Sequence, residues 1–155
     1  NRKWKDGDRV ELEMPMSWRF VRGRKSQSGR VALMRGPVLF CANPERQKKG
    51  QNQGETGGLE PVNTDDLNGE RLRYLTIDPS VLPQGPINDN SIRPNGMACK
   101  INAFRIDNYF PSGPDMELVL TEFPDPGGQL TYFLVPDPDA NIETVVEDEL
   151  CGQIK

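Results

Sequence analysis

Two glutamates near the start of the chain, Glu11 and Glu13, have the residue type and spacing of a hydrolytic carboxylate pair. On an extended strand, side chains two residues apart share one face and lie roughly 6.5–7 Å apart. That separation approaches the roughly 6.5–9.5 Å between the acid and the base of an inverting glycoside hydrolase. Any strand with alternating glutamates gives the same spacing, however, so a solvated strand face is the favoured interpretation.

The sequence contains no histidine. Within it, a Ser-His-Asp triad, a Cys-His pair, a His-ligated zinc site and imidazole acid–base catalysis are therefore excluded. Cys41, Cys99 and Cys151 are widely spaced and form no CxxC motif, so a zinc ribbon or a thioredoxin-like motif is not indicated. Cys41 and Cys99 lie in apolar surroundings, which predicts buried thiols that pack as small hydrophobic groups. We expect no catalytic, cofactor-binding or metal-binding residue in this chain.

The acidic segment at 137–148 has carboxylate or amide side chains at positions 1, 3, 5, 7 and 12 of a calcium-type loop. Position 6 is Ile142, where such loops need a glycine, and position 12 is Asp148 instead of the longer bidentate glutamate. Pro138 interrupts the segment, and no flanking helices are indicated. A solvated acidic turn is therefore favoured over a calcium site.

Aromatic side chains offer a different chemistry, because they can stack on sugar rings when they line an open face. We take Trp18, Tyr109 and Tyr132 as candidates for carbohydrate contact. Aromatic residues at strand positions usually belong to the core, so a purely structural role is the alternative for all three.

The 155 residues carry a formal net charge of −4 that is unevenly distributed. Residues 1–50 hold 13 Lys/Arg and 5 Asp/Glu, whereas residues 51–155 hold 6 and 18. The arginines at 19, 22 and 24 lack both the stacking aromatics and the recognition helix of nucleic-acid-binding proteins. Complementary faces within one domain are the favoured interpretation. We therefore expect no nucleic-acid partner. No apolar stretch reaches 18 residues, so we also expect no membrane span.

The elements that must position these side chains are short strands. The chain has 15 glycines and 14 prolines, and no segment shows sustained helical periodicity. About seven to nine short apolar runs separated by turn signals predict an all-β fold, a β-sandwich or jelly roll with long irregular loops. We expect one such domain over residues 1–155, with a polar loop or insertion at 42–70. Because the chain opens at Asn1 without a methionine, we also expect it to be a fragment of a longer protein.

Strict alternation of apolar and polar residues marks two places in particular. Residues 10–14 predict an opening strand, with Val10, Leu12 and Met14 on its apolar face. Residues 116–121 and 130–135 also read as strands, and a run rich in proline and glycine separates them. This arrangement predicts a β-hairpin.

Residues 31–41 form two apolar runs joined by Arg35-Gly36-Pro37. The Gly-Pro pair predicts a buried strand that bends or changes sheets, and we expect Arg35 to reach a carboxylate. This segment, VALMRGPVLFC, resembles the VAL-x-RGP-LV-[YF]-C segment of glycoside hydrolase family 127, the β-L-arabinofuranosidase-like proteins. Arg35, Gly36 and Pro37 are its structural signature.

Other segments resemble the same family in the same order, and together they cover most of the chain outside the loop at 42–60. They are Trp4–Leu12, Met14–Met16, Arg93–Cys99, Leu120–Pro126, Thr131–Phe133 and Val146–Leu150.

The resemblance implies a part of an enzyme rather than a whole one. Family members have a large (α/α)₆ catalytic barrel followed by β-sandwich domains, and the RGP segment belongs to the C-terminal β region. Their active site combines acidic residues with neighbouring cysteines around a zinc ion in the barrel. This chain has no adjacent cysteine pair, so no catalytic or metal residue carries over, and no cofactor is expected in this fragment.

We therefore expect a non-catalytic C-terminal accessory domain of a glycoside hydrolase, which packs on a catalytic barrel absent from this chain. The expected partners are that barrel, a second copy in a homodimer, or carbohydrate. A carbohydrate-binding module is the main alternative. An autonomous hydrolase that uses Glu11 and Glu13 is a weaker one.

Overall fold

The structure of the chain is a computed structural model that describes residues 3–50, 60–61, 69–105, 113–114 and 116–147. Strands dominate these residues and α-helix is limited to one short segment, which confirms the predicted all-β fold. No helix within the described ranges is long and apolar enough to cross a membrane. The elements are β1 (Trp18–Arg22), β2 (Arg30–Arg35), β3 (Val38–Ala42), α1 (Pro44–Gly50), β4 (Glu60–Pro61), β5 (Thr76–Ile77), β6 (Gln84–Asn88), β7 (Met97–Phe104), β8 (Met116–Glu122), β9 (Tyr132–Leu134) and β10 (Val145–Val146), with 3₁₀ turns at Lys25–Gln27 and Gly69–Tyr74.

The ten described strands belong to one sheet that closes on itself. Its order is β10-β1-β2-β3-β8-β7-β5-β9, with β4 paired to β8 and β6 to β7. Strand β2 closes the sheet, because its C-terminal end pairs with β3 while Arg30–Ala32 pair with β9. Six strands therefore form a ring of hydrogen-bonded neighbours, and the layers expected of a sandwich are continuous with each other.

The inward-facing side chains of this ring form one hydrophobic core. In β8 the even-numbered residues 116–120 are buried, as their alternation predicted, and in β7 the odd-numbered residues 99–103 are buried. Phe20, Phe40 and Phe133 come from three different strands and are completely buried. Burying a side chain of this size contributes roughly 1.5–3 kcal/mol, so these residues stabilise the closed arrangement.

Arg35-Gly36-Pro37 is the tight turn of a hairpin, so the predicted bend within one strand is wrong. Arg35 pairs directly with Val38, which leaves only Gly36 and Pro37 between β2 and β3. Gly36 has a φ of +53°, and a Cβ there would also meet the sulfur of Met16. A glycine that takes positive φ, followed by a proline of fixed φ, suits a two-residue hairpin turn.

Residues 8–17 form no strand, so the predicted opening strand is wrong for this chain. Val10, Leu12 and Met14 are 67%, 77% and 64% exposed, and Trp4 is 63% exposed. The alternation is present, but none of the described strands pairs with the segment. An unpaired strand gains no ladder hydrogen bonds and covers no apolar surface. We call residues 4–14 the N-terminal segment.

The predicted hairpin between residues 116–121 and 130–135 is also wrong. The turn after β8 does reverse the chain, but residues 40–42 of β3 already pair with the end of β8. Leu130 forms a bridge to Ala42 beyond that edge, and β9 then pairs with β2 and β5. A third strand therefore separates the two predicted partners.

The opposite charges of the two halves of the sequence meet at the loop between β1 and β2. Arg22 forms an ion pair with Glu147, with 2.9 Å between Nε and Oε1, and donates to the carbonyl groups of Pro138 and Ala140. Gly29 lies beside Pro138. The acidic turn thus packs against the basic loop.

The predicted polar loop at 42–70 begins with regular structure. Ala42 ends β3, and α1 starts two residues later. The backbone N–H of Glu45 donates to Asn43 Oδ1 at 2.9 Å, and Pro44 occupies the first helical position. An Asn-Pro pair is a helix-start signal that hydrophobic periodicity does not register. Residues 51–59 and 62–68 of the predicted loop lie outside the described residues.

Gln47 of α1 replaces a missing strand neighbour. Its Nε2 donates to the Val119 carbonyl at 2.6 Å, and its Oε1 accepts from the Val119 N–H at 2.9 Å. Val119 lies in the gap on this edge of β8, between the residues that pair with β4 and those that pair with β3. The side-chain amide therefore provides the donor and acceptor that a continuous strand would supply.

We predict that Gln47→Leu lowers the free energy of unfolding by about 1–3 kcal/mol, because it leaves both polar groups of Val119 without their partner. Urea unfolding followed by circular dichroism measures the change. Gln129→Leu, at an exposed glutamine, is the matched control and should stay within about 0.5 kcal/mol of wild type. Equal losses in the two variants would contradict the strand-replacing role of Gln47.

Candidate functional site

The end of β8 carries the densest group of buried polar side chains in the described chain. Thr121 and Glu122 are consecutive and completely buried, and Asp125 follows in the next turn with only 4% of its surface exposed. Because consecutive strand residues point to opposite faces, Glu122 lies on the core face and Thr121 on the outer face. The site therefore has two halves, one on each side of the sheet.

The outer half is built around the Asp125 carboxylate. Arg46 of α1 binds it with two nitrogens, with Nε 3.1 Å from Oδ2 and Nη2 3.0 Å from Oδ1. Asn43 Nδ2 and Thr121 Oγ1 donate to the same Oδ2 at 2.7 and 2.9 Å. Arg46 also donates to the hydroxyl of Ser91, which ties the loop at 89–96 to the helix. Every partner of the carboxylate is a donor, so it is held in its ionised form.

The electrostatics of Asp125 follow from these contacts. Burial by itself would raise the pKa of the carboxyl, but the hydrogen bonds from Arg46, Asn43 and Thr121 outweigh it and lower that pKa to about 2. The hydrogen bond to Asp125 in turn raises the pKa of the Arg46 guanidinium. A carboxyl group with so low a pKa is a poor general acid or base near neutral pH.

The inner half is the ion pair between Glu122 and Arg93. Nη2 of Arg93 donates to Oε2 of Glu122 at 2.8 Å, and Nε lies 2.6 Å from Oε1. The Nε–H is not directed at Oε1, which has an ion-pair partner but no hydrogen bond. The Glu122 side chain is fully buried, while that of Arg93 is 46% exposed. The pair therefore connects the core to the surface.

Arg35 lies at the same end of the fold. Its guanidinium carbon is 5.8 Å from the centre of the Trp18 ring, and its Nη1 donates to Met97 Sδ at 3.8 Å. Trp18 packs in turn on Phe40, with ring centroids 5.0 Å apart. No carboxylate among the described residues forms an ion pair with Arg35, so its expected contact with a carboxylate stays a prediction.

The candidate carbohydrate contacts do not share one surface. The register pairs Val21 with Ala32 and Ala32 with Tyr132, so these three lie on one face of the sheet. Trp18 is three residues from Val21 and lies on the opposite face. Trp18 is also covered by Phe40 and Arg35. Tyr109 lies outside the described residues.

The remaining candidates are dispersed. Glu11 and Glu13 are both exposed, and Glu11 forms an exposed ion pair with Arg9 at 3.9 Å. Burial raises the pKa of the Cys41 thiol, as it does that of Cys99, and both thiols are free. Cys151 lies outside the described residues.

The acidic turn contains no metal site among its described residues. Nowhere in the part of the chain that the structure covers do three or more His, Cys, Asp or Glu side chains come together in a group able to hold a metal ion. Asp148, which occupies position 12 of the calcium-type pattern, lies outside the described residues.

Comparison with known proteins adds nothing further: no family model matches the chain, and no curated protein matches it significantly. The functional interpretation therefore rests on the chain's own residues.

Reasoning from the sequence missed the Asp125 and Glu122 clusters. One signal was available, because Glu122 occupies the position after Leu118 and Leu120 in the inward-facing series of β8. A charged residue at an inward position requires a buried partner. Nothing in the sequence shows that Arg93 and Arg46, which are 29 and 79 residues from their partners, fill that requirement.

We predict that the pH dependence of stability identifies Asp125. Its folded-state pKa lies below the ordinary value of 3.8, so its stabilising effect is complete above about pH 5 and is lost as pH falls toward 2. Between pH 6 and pH 2, wild type should lose about 2 kcal/mol more of its free energy of unfolding than Asp125→Asn does. Urea titrations at a series of pH values measure this difference. Asp139→Asn, in the exposed acidic turn, is the control and should follow wild type.

Proposed function

We propose that this chain is a non-catalytic accessory β-domain of an enzyme resembling glycoside hydrolase family 127, and that it packs through its N-terminal segment on the catalytic barrel. The observation that carries the proposal is the solvent exposure of Trp4, Val10, Leu12 and Met14. These four large apolar side chains are exposed within residues 4–14, and exposed apolar patches are typical of protein–protein contacts. The three aliphatic side chains alternate, as they do in a strand that covers another apolar surface.

The arrangement of charged groups supports a structural role over a catalytic one. The buried carboxylates of Glu122 and Asp125 are both held by arginines, and the low pKa of Asp125 does not suit proton transfer at neutral pH. The exposed pair Glu11 and Glu13 stands on the same unpaired N-terminal segment, with no rigid element to orient it. Rigid positioning of the reacting groups is what glycoside hydrolysis requires.

The carbohydrate-binding alternative has weaker support. A sugar platform needs an accessible aromatic face, and Trp18 is covered by its own neighbours. Tyr132 is half-buried on the other face of the sheet. Glycan-array binding by the isolated chain would favour this alternative, since a domain that only packs on a barrel binds no glycan.

We predict that the isolated chain does not turn over aryl L-arabinofuranosides. Purified protein is incubated with the chromogenic substrates at several pH values, and release of the aryl alcohol is followed. A wild-type activity that Glu11→Gln or Glu13→Gln abolishes would overturn the accessory role and assign hydrolysis to this chain.

We also predict that the triple variant Val10→Ser, Leu12→Ser, Met14→Ser separates folding from packing. Its free energy of unfolding should fall by no more than about 0.5 kcal/mol per substitution relative to wild type, because these side chains are exposed in the isolated domain. Leu33→Ser, at a fully buried position, is the control for a folding defect and should lose about 3 kcal/mol or more.

The same variant tests the packing itself. Wild type, co-expressed with the affinity-tagged barrel of a family 127 β-L-arabinofuranosidase, should co-purify with that barrel, whereas the triple variant should not. Equal recovery of wild type and variant, or failure of wild type to co-purify, would count against this use of the N-terminal segment.

A further inference from the structure

We propose that Arg35 is the anchor that receives an aspartate or glutamate carboxylate from the protein surface on which this domain packs, with Arg93 as a second donor to it. The inference rests on the proposed packing role and names the chemistry of the partner at one point of the contact.

The charge of Arg35 is unmatched among the described residues. Arg22, Arg46, Arg93 and Lys100 each form an ion pair with a carboxylate. Arg35 is half-buried, yet among the described residues its guanidinium contacts only a thioether sulfur and an indole ring. A guanidinium has five N–H donors, and neither of these partners is a strong acceptor. An incoming carboxylate would supply the missing acceptors in a two-point geometry.

The Arg35 side chain is already oriented by its neighbours. The Trp18 ring lies against one side of its guanidinium, and Met97 holds its Nη1. Trp18 is itself fixed by Phe40, which belongs to the core. A side chain held in this way loses little conformational freedom on binding, which strengthens the contact it makes. Trp18 thus serves as a positioning residue for Arg35.

The charge around Arg35 is positive. Ala98 pairs with Thr121, so one residue further along the same ladder Met97 neighbours Glu122 on the core face. Arg35 contacts Met97 and Arg93 contacts Glu122, which places the two guanidinium groups over adjacent side chains. Glu122 neutralises Arg93, so the set carries a net positive charge that favours an anion. The half-exposed side chain of Arg93 can donate to the same ligand.

The turn that follows Arg35 contacts the chain just beyond the N-terminal segment. Met16, just beyond that segment, contacts Gly36 in the turn that follows Arg35. Tryptophan, arginine and methionine are enriched at protein–protein interfaces, and tryptophan and arginine are enriched among the residues that carry most of the binding energy. Met16 therefore connects the N-terminal segment to the turn that follows Arg35, and a protein is the partner that these residue types fit best.

Arg19 and Arg30 show that this environment is specific. Arg19 contacts Met34 Sδ and Arg30 donates to the Tyr132 carbonyl, so neither forms an ion pair with a described carboxylate. Among the contacts of the described residues, neither lies over an aromatic ring. Arg30→Gln is therefore the matched control for Arg35→Gln.

The test uses the isolated chain and two matched peptides, acetyl-Gly-Glu-Gly-amide and its glutamine analogue, at fixed ionic strength. NMR follows the Nε–H signals of the arginines and the methyl group of Met97. We expect the glutamate peptide to shift the signals of Arg35, Arg93 and Met97 in a saturable way, and the glutamine peptide to have no such effect. Arg35→Gln should weaken binding about tenfold or more, whereas Arg30→Gln should leave it unchanged. Arg35→Lys, which keeps the charge and loses the planar fork, should weaken it to an intermediate degree.

Several results would overturn the proposal. Equal shifts at Arg30 and Arg35 would mean that the peptide responds only to net charge. A response to galacturonate but not to the glutamate peptide would assign the site to an acidic sugar, and a dimer that Arg35→Gln dissolves would assign it to a second copy. If the wild-type chain fails to co-purify with the barrel but the glutamate peptide still shifts the Arg35 signals, the packing role is contradicted and the carboxylate site is not. If the glutamate peptide shifts none of these signals but the wild-type chain co-purifies with the barrel, only the role of Arg35 as the anchor is contradicted.

Discussion

The buried carboxylate of Asp125 ties together three parts of the chain that are distant in sequence. Arg46 and Asn43 reach it from the start of α1, Thr121 from the end of β8, and Arg46 extends the connection to Ser91 in the loop before β7. An uncompensated charge in this position would cost several kcal/mol. The carboxylate therefore requires α1 and the end of β8 to reach their places together, since each supplies a donor to it, and Arg46 joins the loop at 89–96 to them.

A second charge at the same place follows the same rule on the other face of the sheet. Glu122 continues the inward-facing series of β8, where a hydrophobic residue would otherwise fit, and Arg93 compensates it from the loop before β7. Buried ion pairs are weak evidence for added stability, because an apolar replacement is often as stable. They restrict geometry more than they add energy. Here Arg93 comes from the irregular loop between β6 and β7, whereas Arg46 lies in α1.

The side chains of the described residues differ in whether they have partners within the chain. The polar side chains at the end of β8 are matched with one another, whereas Val10, Leu12 and Met14 are exposed and Arg35 has no ion pair with a described carboxylate. Matched groups stabilise the domain itself. Unmatched groups that are adjacent and partly oriented are what an interface retains for its partner. This contrast supports packing as the role of the domain more directly than any single residue does.

The sequence by itself determined the all-β class, the positions of most strands and the turn residues at Gly36-Pro37, because side-chain alternation and φ preference are local properties. It did not determine that Arg35-Gly36-Pro37 closes a hairpin, that β3 separates β8 from β9, or that the alternating residues 10–14 stay unpaired. Backbone donors and acceptors are the same in every strand, so only the tertiary arrangement selects the neighbours. The same holds for the candidate site: the inward position of Glu122 was readable, but its pairing with Arg93, and that of Asp125 with Arg46, depends on contacts between distant segments that exist only once the sheet has closed.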